Sequence, residues 1–341
     1  MLNRQKLKEF VSQIHLYNFQ DIALSLFNWQ AIHNPIYAQY LNYLQINPTT
    51  ITSLEKIPFL PIEFFKTQSV ITQHAQPQIV FESSGTTGSH TSRHFVADLD
   101  WYNHISTTIF EQIYAPLSHF HLLALLPSYL ERNNSSLVYM VQDFIQKTQS
   151  ELSGFFLHNI DDLLKTLQKL AEKKDNKPVI LWGVTFALLD LAESRTNLDF
   201  LRQLPNLIIM ETGGMKGRRE ELTRAQIHEQ LKTKFGVSFI HSEYGMTELL
   251  SQSYSKGDGI FTPSATMQIL LRDINDPFAV FTHQNSPLRY GGINVIDLAN
   301  IDSCAFIETQ DLGRFINNTS NFEGIGRFDN SDVRGCNLLL S

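Results

Sequence analysis

The spacing of apolar residues along the chain predicts a helical start, followed by strands that alternate with helices. Residues 1–45 carry apolar side chains at helical spacing and are predicted to be amphipathic helices. A proline-rich bend follows between residues 48 and 61. From about residue 78, short apolar runs typical of strands alternate with segments of helical period. The predicted strands are 78–82, 121–126, 154–158, 178–182, 206–211 and 236–241. The predicted helices are 100–116, 135–147, 159–174, 185–193 and 216–234.

This alternation predicts an α/β fold with a largely parallel sheet, because each strand is followed by a helix that can cross back over the sheet. Segment 159–174 carries a leucine stripe suited to packing on such a sheet. Beyond residue 244 the apolar runs are shorter and are broken by Gly, Asn, Asp and Pro. A smaller antiparallel or barrel-like unit is predicted there, with β-rich segments at 260–272, 278–283, 291–297 and 304–308.

Composition restricts the classes of function. The 341 residues include 43% hydrophobic and 18% charged residues, which is ordinary for a globular protein. A net charge of −7 argues against binding to nucleic acid or to an anionic membrane. No apolar run is long enough to span a bilayer, so no transmembrane helix is expected, and the first residues lack the apolar stretch that a secretory signal is expected to have. With only two cysteines, the chain is expected in the cytoplasm, and the spacing of its histidines predicts no zinc site.

A loop rich in hydroxyls and glycine follows the predicted strand 78–82. Glycine allows backbone N–H groups to turn toward an anion, and serine and threonine hydroxyls add further donors, so the loop is expected to bind a polyphosphate. The alternative is a solvated Ser/Thr/Gly turn. The residues expected to bind phosphate are Ser83, Ser84, Gly85, Thr86, Thr87 and Gly88.

A second motif, Tyr244-Gly245-Met246-Thr247-Glu248, follows the predicted strand 236–241. Tyr244 offers a face for a purine, Thr247 a bond to phosphate, and Glu248 a hard oxygen ligand for Mg²⁺. The alternatives are a core tyrosine and a carboxylate in the first turn of a helix. Gly213 and Gly214, after the strand 206–211, allow close approach of a planar ligand or form a structural turn. Because ligands gather where the strands of a parallel sheet end, these motifs together predict chemistry on ATP.

Both motifs resemble the phosphate-loop and adenine/magnesium motifs of adenylate-forming enzymes, the superfamily of acyl-CoA synthetases and luciferases. The resemblance extends to Glu308–Gly313, which implies that Asp311 binds the ribose hydroxyls. It also extends to the hinge-like stretch Gly326–Asp329, which implies that Arg327 reaches the ribose. Structural turns are the alternative for both residues. The likeness runs from about residue 50 to the last residue, and it implies ATP and Mg²⁺ as cofactors.

Within that superfamily the chain resembles the LuxE-type acyl-protein synthetases, on stretches 126–132, 211–220 and 331–337. This resemblance implies that a fatty acid is activated as its acyl-adenylate and that the acyl group then passes to Cys336. The implied partner is an acyl reductase, acyltransferase or acyl carrier protein. An inert cysteine, transfer to coenzyme A or a carrier protein, and a nucleotide-binding module without turnover remain alternatives. Cys304, within an apolar run, is expected to pack in the core.

The same resemblance implies a division of the chain. A large domain covers 1–325, with a helical entry (1–77), an α/β region holding the nucleotide site (78–258) and a β-rich subdomain (259–325). A hinge and truncated tail, 326–341, carries Cys336. Where the superfamily has Pro-Lys after the phosphate loop, this sequence has Ser89-His90-Thr91-Ser92-Arg93. The superfamily's C-terminal domain with the adenylation lysine is expected to be absent, so Arg93, Lys216 or a partner chain is expected to meet phosphate. His241 is expected at the acyl pocket, as a base, or in a structural role.

Overall fold

The computed structural model describes most of the chain, and some of the expected site residues lie outside the described part. The described residues are 2–83, 91–126, 134–156, 159–173, 176–194, 197–204, 206–213 and 222–328. The predictions for Ser84, Gly85, Thr86, Thr87, Gly88, Gly214, Lys216 and Cys336 therefore fall outside it.

Helices of the described part cluster near the N-terminus and between the strands of the central region. They are α1 (Arg4–Ser12), α2 (Phe19–His33), α3 (Pro35–Tyr43), α4 (Phe64–Thr67), α5 (Leu99–Ile113), α6 (Ser136–Thr148), α7 (Ile160–Lys173), α8 (Thr185–Glu193) and α9 (Arg224–Phe235). In this part of the chain no helix has both the length and the apolar character needed to cross a bilayer.

The strands of the described residues form one large mixed sheet and one separate hairpin. They are β1 (Leu60–Pro61), β2 (Ile79–Glu82), β3 (Arg93–Val96), β4 (His121–Leu125), β5 (Gly154–Phe155), β6 (Val179–Gly183), β7 (Leu207–Glu211), β8 (His241–Tyr244), β9 (Ser253–Ser255), β10 (Ile260–Pro263), β11 (Met267–Arg272), β12 (Val280–Phe281), β13 (Gly291–Asp297), β14 (Phe306–Phe315) and β15 (Phe322–Arg327). The large sheet runs β12-β11-β13-β14-β15-β10-β9-β8-β7-β6-β4-β5, and β1 pairs with β14.

The large sheet has a parallel part and a larger antiparallel part. Strands β5, β4, β6, β7 and β8 are parallel neighbours, and every residue of β4 and β6 is buried. Such continuous apolar runs suit strands that are covered on both faces. From β8 onward the pairing in the large sheet is antiparallel, apart from β1 on β14. The α/β fold class is therefore confirmed, with a β-rich half after Tyr244.

The two ends of helix α9 are set by capping residues. Helix α9 begins with a capping box between Thr223 and Gln226 and closes at Gly236, whose φ of 68° is left-handed and favours glycine. Because the chain leaves the helix only at residue 236, the predicted strand 236–241 is wrong, and the strand begins at His241.

The strand predicted at 78–82 forms, but it does not join the parallel sheet. Strand β2 pairs antiparallel with β3 in a hairpin of its own, with Ile79 opposite Val96 and Glu82 opposite Arg93. The serine- and glycine-rich loop therefore connects two hairpin strands and does not lead from a sheet strand into a helix. A strand-like apolar run shows that a strand forms, whereas its partner depends on residues elsewhere in the chain.

One buried glutamine ties the N-terminal helices to the β-rich half. On α2, Gln30 Nε2 lies within 3.0 Å of the carbonyl oxygens of Asn300, Ile301 and Ser303, and Gln30 Oε1 accepts a 3.0 Å bond from Ala305 N. The residue is fully buried. Asn34 Nδ2 also donates to Ser303 O. Removing the Gln30 amide therefore leaves the carbonyls of Asn300 and Ile301 without this donor and Ala305 N without its acceptor, which costs free energy in the buried interior.

Replacing Gln30 by alanine is therefore expected to lower the free energy of unfolding by about 2–3 kcal/mol. Urea denaturation followed by fluorescence measures this change. The control is Asn28→Ala, on the exposed face of the same helix, which should change stability by less than about 0.5 kcal/mol. Equal stabilities for the two variants would contradict the role given to Gln30.

Candidate functional site

A cavity of about 660 Å³ lies where the carboxyl ends of β7 and β8 meet the hairpin and the β-rich half. It brings together expected site residues from five separate stretches of sequence. Those that line it are Ser83, Gly213, Tyr244, Gly245, Thr247, Glu248, Asp311 and Arg327. Residues far apart in the chain thus share one concave, partly apolar site, which is the usual setting for a small ligand.

One wall of the cavity holds a hydrogen-bonded trio. The hydroxyl of Tyr244 donates to Asp311 Oδ2 over 2.9 Å, and Arg327 Nε lies 3.2 Å from Asp311 Oδ1. Asp311 and Arg327 are direct partners across strands β14 and β15, which places their side chains together. Burial raises the pKa of Asp311, and the charge of Arg327 opposes that rise. The trio presents acceptors and a cation suited to sugar hydroxyls.

The ring of Tyr244 is also part of an aromatic cluster. Its centroid lies 5.7 Å from that of Phe261 and 5.2 Å from that of Phe322, and the latter two rings stack at 5.4 Å. Burial raises the pKa of Tyr244 well above its ordinary value, so the hydroxyl stays protonated and can donate. The cluster fixes the ring, and the hydroxyl bond fixes its rotation.

Glu248 is a buried carboxylate beside the cavity, with 4% of its surface exposed. Burial raises its pKa, and a hydrogen bond with Ser92 opposes that shift. No group of three or more His, Cys, Asp or Glu among the described residues is placed to hold a metal ion. A single carboxylate in the lining still fits Mg²⁺, because this ion is commonly bound through one or two carboxylates together with substrate phosphates and water. Glu248 would be the protein's ligand.

Ser83 closes the hairpin at the edge of the cavity. Its hydroxyl oxygen accepts a 2.9 Å bond from Ser92 N, and its own amide donates to Ser92 O over 3.0 Å. Both ends of the loop 84–90 are therefore anchored next to the cavity. The hydroxyl keeps a hydrogen with which to donate to an anion.

Glu211 is a buried residue of the site that the sequence did not single out. The hydroxyl of Thr185 donates to its Oε2 over 2.8 Å, and Gly213 N donates to the same oxygen over 2.6 Å. Burial alone would raise the pKa of Glu211, but the surrounding donors, with His228 foremost, lower it to about 2. The carboxylate thereby holds Gly213 in its left-handed conformation, with φ at 74°.

Glu243 is a second carboxyl group in the lining that the sequence did not identify. Burial, with a contribution from the charge of Glu211, raises its pKa to about 8. The side chain lies against Gly245, where an added Cβ would come within 2.3 Å of Glu243 Oε1. Gly245 is therefore required to make room for this carboxyl group.

The raised pKa of Glu243 predicts a pH-dependent stability. The ordinary pKa of a glutamate is 4.5, and that of Glu243 in the folded chain is about 8. Between these two pH values the folded chain keeps a proton that the unfolded chain releases, so stability falls as the pH rises through this window. Glu243→Gln removes this titration. Its free energy of unfolding relative to wild type should rise by on the order of 2 kcal/mol between pH 5 and pH 9.

Chemical denaturation across that pH range tests the prediction. The matched control is Glu172→Gln, at an exposed position of α7, which should follow the wild-type curve. Parallel curves for wild type and Glu243→Gln would show that the carboxyl group is ionised in the folded protein.

The described lining also contains two cationic residues that the sequence analysis did not predict at the site, Lys66 and Arg224. Arg224 lies over the ring of Phe261 at 5.3 Å and donates to Gly324 O over 3.0 Å. Lys66 lies on the short helix α4. Arg93, one of the residues expected to meet phosphate, does not line this cavity, and its guanidinium lies over the ring of Phe95. The described residues of the lining therefore do not include Arg93.

His241 and Cys304 are structural in this arrangement. His241 Nδ1 lies 3.0 Å from the hydroxyl of Tyr114, the residue is absent from the cavity lining, and burial lowers its pKa to about 4. Of its expected roles, the structural one therefore agrees with the geometry. Cys304 is fully buried, and burial raises its pKa to about 12. Its predicted packing role is confirmed.

Comparison with known proteins gives a match at the level of fold. No protein-family model matches the sequence, and no curated protein matches it. Among solved structures, the fold of this chain is similar to that of adenylate-forming ligases. This likeness confirms the predicted fold, that of the large N-terminal domain of such enzymes.

Three of these structures belong to 2-hydroxyisobutyryl-CoA ligase. The open form with 2-HIB-AMP and CoA has a TM-score of 0.62 at 11% identity, covering 91% of this chain and 70% of that one. A postadenylation state with R3-HIB-AMP gives 0.63 at 10%, covering 91% and 68%. The thioesterification state gives 0.62 at 13%, covering 97% and 70%. At such low identity the similarity is one of fold.

Proposed function

We propose that the protein is an ATP-dependent ligase that activates a carboxylic acid as its acyl-adenylate. The observation that carries this proposal is the meeting of the Tyr244–Glu248 motif, Asp311, Arg327 and Ser83 around one cavity. Each of these residues was expected at a nucleotide site from sequence alone. The three stretches that hold Ser83, Tyr244–Glu248 and Asp311 lie more than 60 residues apart in the chain.

The chemistry assigns a task to each part of the cavity. Asp311 accepts hydrogen bonds from the ribose hydroxyls, and Arg327 holds that carboxylate in place. Thr247 and Ser83 donate to phosphate oxygens. Mg²⁺, held by Glu248, supplies neutralisation of phosphate charge when bound. An oxygen of the acid bonds to the α-phosphorus, and the bond from that phosphorus to the departing pyrophosphate oxygen breaks.

The balance of charge supports a need for both the metal and the neighbouring loop. The carboxyl groups of the described lining are Glu82, Glu211, Glu243, Glu248 and Asp311, and its cations are Lys66, Arg224 and Arg327. Glu243 is protonated at neutral pH, but the remaining acidic groups still outnumber the basic ones, so a triphosphate would be repelled without added cations and N–H donors. The glycine- and hydroxyl-rich residues 84–88 are proposed to supply those donors.

The second half-reaction is proposed to follow the LuxE-type resemblance. The Cys336 thiolate attacks the acyl carbonyl of the adenylate, a thioester forms, and AMP leaves. The acid is proposed to be a fatty acid, and Leu137 and Met140 give the lining apolar surface. The acyl group would then pass to a partner such as an acyl reductase. A solved structure of similar fold is that of a ligase in complex with CoA, which makes coenzyme A the alternative acceptor.

Pyrophosphate exchange into ATP tests the first half-reaction. Labelled pyrophosphate should enter ATP only when a carboxylic acid is present, and a panel of fatty acids of increasing length identifies the preferred substrate. Exchange that ignores the acid, or binding of ATP without any exchange, would favour a nucleotide-binding module without turnover.

Replacing Cys336 by serine tests the second half-reaction. The variant is expected to keep acid-dependent exchange and to lose covalently bound acyl label, because adenylation precedes the thiol's attack. Cys304→Ala, at the buried cysteine, serves as the control and should keep the label. Label retained by Cys336→Ser would place the acceptor elsewhere, and thioester formation only with added coenzyme A would favour the alternative.

A further inference from the structure

Two buried side chains hold the consecutive carbonyl groups of Thr247 and Glu248. His94 Nδ1 lies 2.8 Å from Thr247 O, and Asn300 Nδ2 donates to Glu248 O over 2.7 Å. Each of the two side chains is 1% exposed. A carbonyl oxygen only accepts, so His94 Nδ1 must carry the hydrogen in this bond.

The residues that follow are held by the same loop. Asp297 Oδ2 accepts bonds from Leu250 N at 2.7 Å and Ser251 N at 3.0 Å, and Asp297 Oδ1 accepts one from the Ser251 hydroxyl at 2.6 Å. Asp297 ends β13, and Asn300 lies three residues further on. The backbone of 247–251 is thus fixed from one side by this loop and from another by His94 on β3.

The loop 297–300 is itself anchored to distant elements. Trp101 Nε1, on α5, donates to Ala299 O over 2.9 Å, and Gln30 Nε2, on α2, donates to Asn300 O over 2.8 Å. A residue held by rigid, buried partners keeps its geometry better than one on a free loop. The contacts therefore transmit rigidity from the core to residues 247 and 248.

We propose that His94 and Asn300 are positioning residues, which orient the Thr247 hydroxyl and the Glu248 carboxylate toward the phosphates and Mg²⁺ of bound ATP. This role rests on the proposed function of the cavity. The two side chains act through the main chain, since neither lines the cavity. Burial lowers the pKa of His94 to about 4, so the ring is neutral near pH 7 and donates through Nδ1 alone.

The test compares variants that remove the donor with variants that keep it. His94→Leu and Asn300→Ala each lose the bond to the main chain, whereas His94→Asn places an amide N–H close to the position of the ring Nδ1–H. The first two are expected to raise the Mg²⁺ concentration needed for half-maximal exchange by about tenfold and to lower kcat by about tenfold. The KM for the carboxylic acid should stay within about twofold, and His94→Asn should recover most of the loss.

A matched control separates positioning from general loss of stability. Thr148 is also buried, and its hydroxyl donates to Ile145 O over 2.7 Å, away from this segment. Thr148→Val should lower the melting temperature without changing the Mg²⁺ requirement. If His94→Leu fails to fold, Asn300→Ser carries the comparison.

Amide hydrogen exchange of residues 248–251 gives a readout that does not need turnover. These amides should exchange faster in His94→Leu and Asn300→Ala than in wild type and Thr148→Val. An unchanged Mg²⁺ requirement and unchanged amide exchange in the folded variants would overturn the positioning role. Wild-type protein without acid-dependent pyrophosphate exchange would instead overturn the proposed function. Faster amide hydrogen exchange in the variants would, even then, support the role of His94 and Asn300 in holding the main chain of this segment.

Discussion

Glu248→Gln is expected to lower acid-dependent pyrophosphate exchange by about 100-fold or more. The substitution keeps the size of the side chain and leaves the bond from Asn300 to the backbone carbonyl intact. It removes the one buried carboxylate proposed to hold Mg²⁺ against the triphosphate. An amide oxygen is a weaker ligand for this cation, so the apparent requirement for Mg²⁺ should also rise.

Initial exchange rates across a range of Mg²⁺ concentrations measure both effects. The control is Glu323→Gln, whose carboxylate pairs with Arg314 at the surface of β15 and is absent from the cavity lining. That variant should stay within about twofold of wild type. A Glu248→Gln protein with the wild-type rate and Mg²⁺ dependence would place the metal elsewhere.

Asp311→Asn is expected to raise the KM for ATP by about 10- to 50-fold while kcat changes by less than about threefold. The asparagine can still accept the bond from the Tyr244 hydroxyl, but it lacks the negative charge that binds Arg327 and attracts two ribose hydroxyls. Because the ribose takes no part in bond breaking, the lost contacts weaken ground-state and transition-state binding equally.

Kinetics with varied ATP and varied acid separate the two affinities. The companion variant Arg327→Gln should have a smaller effect, since 66% of that side chain is exposed and its ion pair is screened by solvent. An Asp311→Asn protein with an unchanged KM for ATP and a changed KM for the acid would assign this wall of the cavity to the acyl group.

The sequence predicted the fold class because its two halves carry different apolar patterns. Continuous buried runs such as β4 and β6 indicate a parallel sheet, and the broken runs after Tyr244 indicate antiparallel pairing. It did not predict the partner of β2, because pairing in a hairpin or a sheet leaves the same local pattern. The prediction for β8 began at residue 236 instead of 241. The apolar pattern there does not show that α9 ends in a left-handed turn at Gly236.

The candidate site divides in a similar way. Tyr244, Glu248 and Asp311 belong to compact motifs, in which several chemically suited residues stand close together in sequence, and the fold brings them to one cavity. His94 and Asn300 belong to no such motif, and their partners, Thr247 and Glu248, lie more than 50 residues away in the chain. Glu211 gave a weak signal that could have been used, since a carboxylate ending an apolar run needs donors when it is buried.

A crystal structure with a non-hydrolysable acyl-adenylate analogue would test the central claim most directly. The analogue should bind in the 660 Å³ cavity, with its ribose hydroxyls on Asp311 and its phosphate-mimicking group near Thr247 and Ser83. An analogue that binds outside this cavity, or a cavity that stays empty at saturating concentration, would contradict the account.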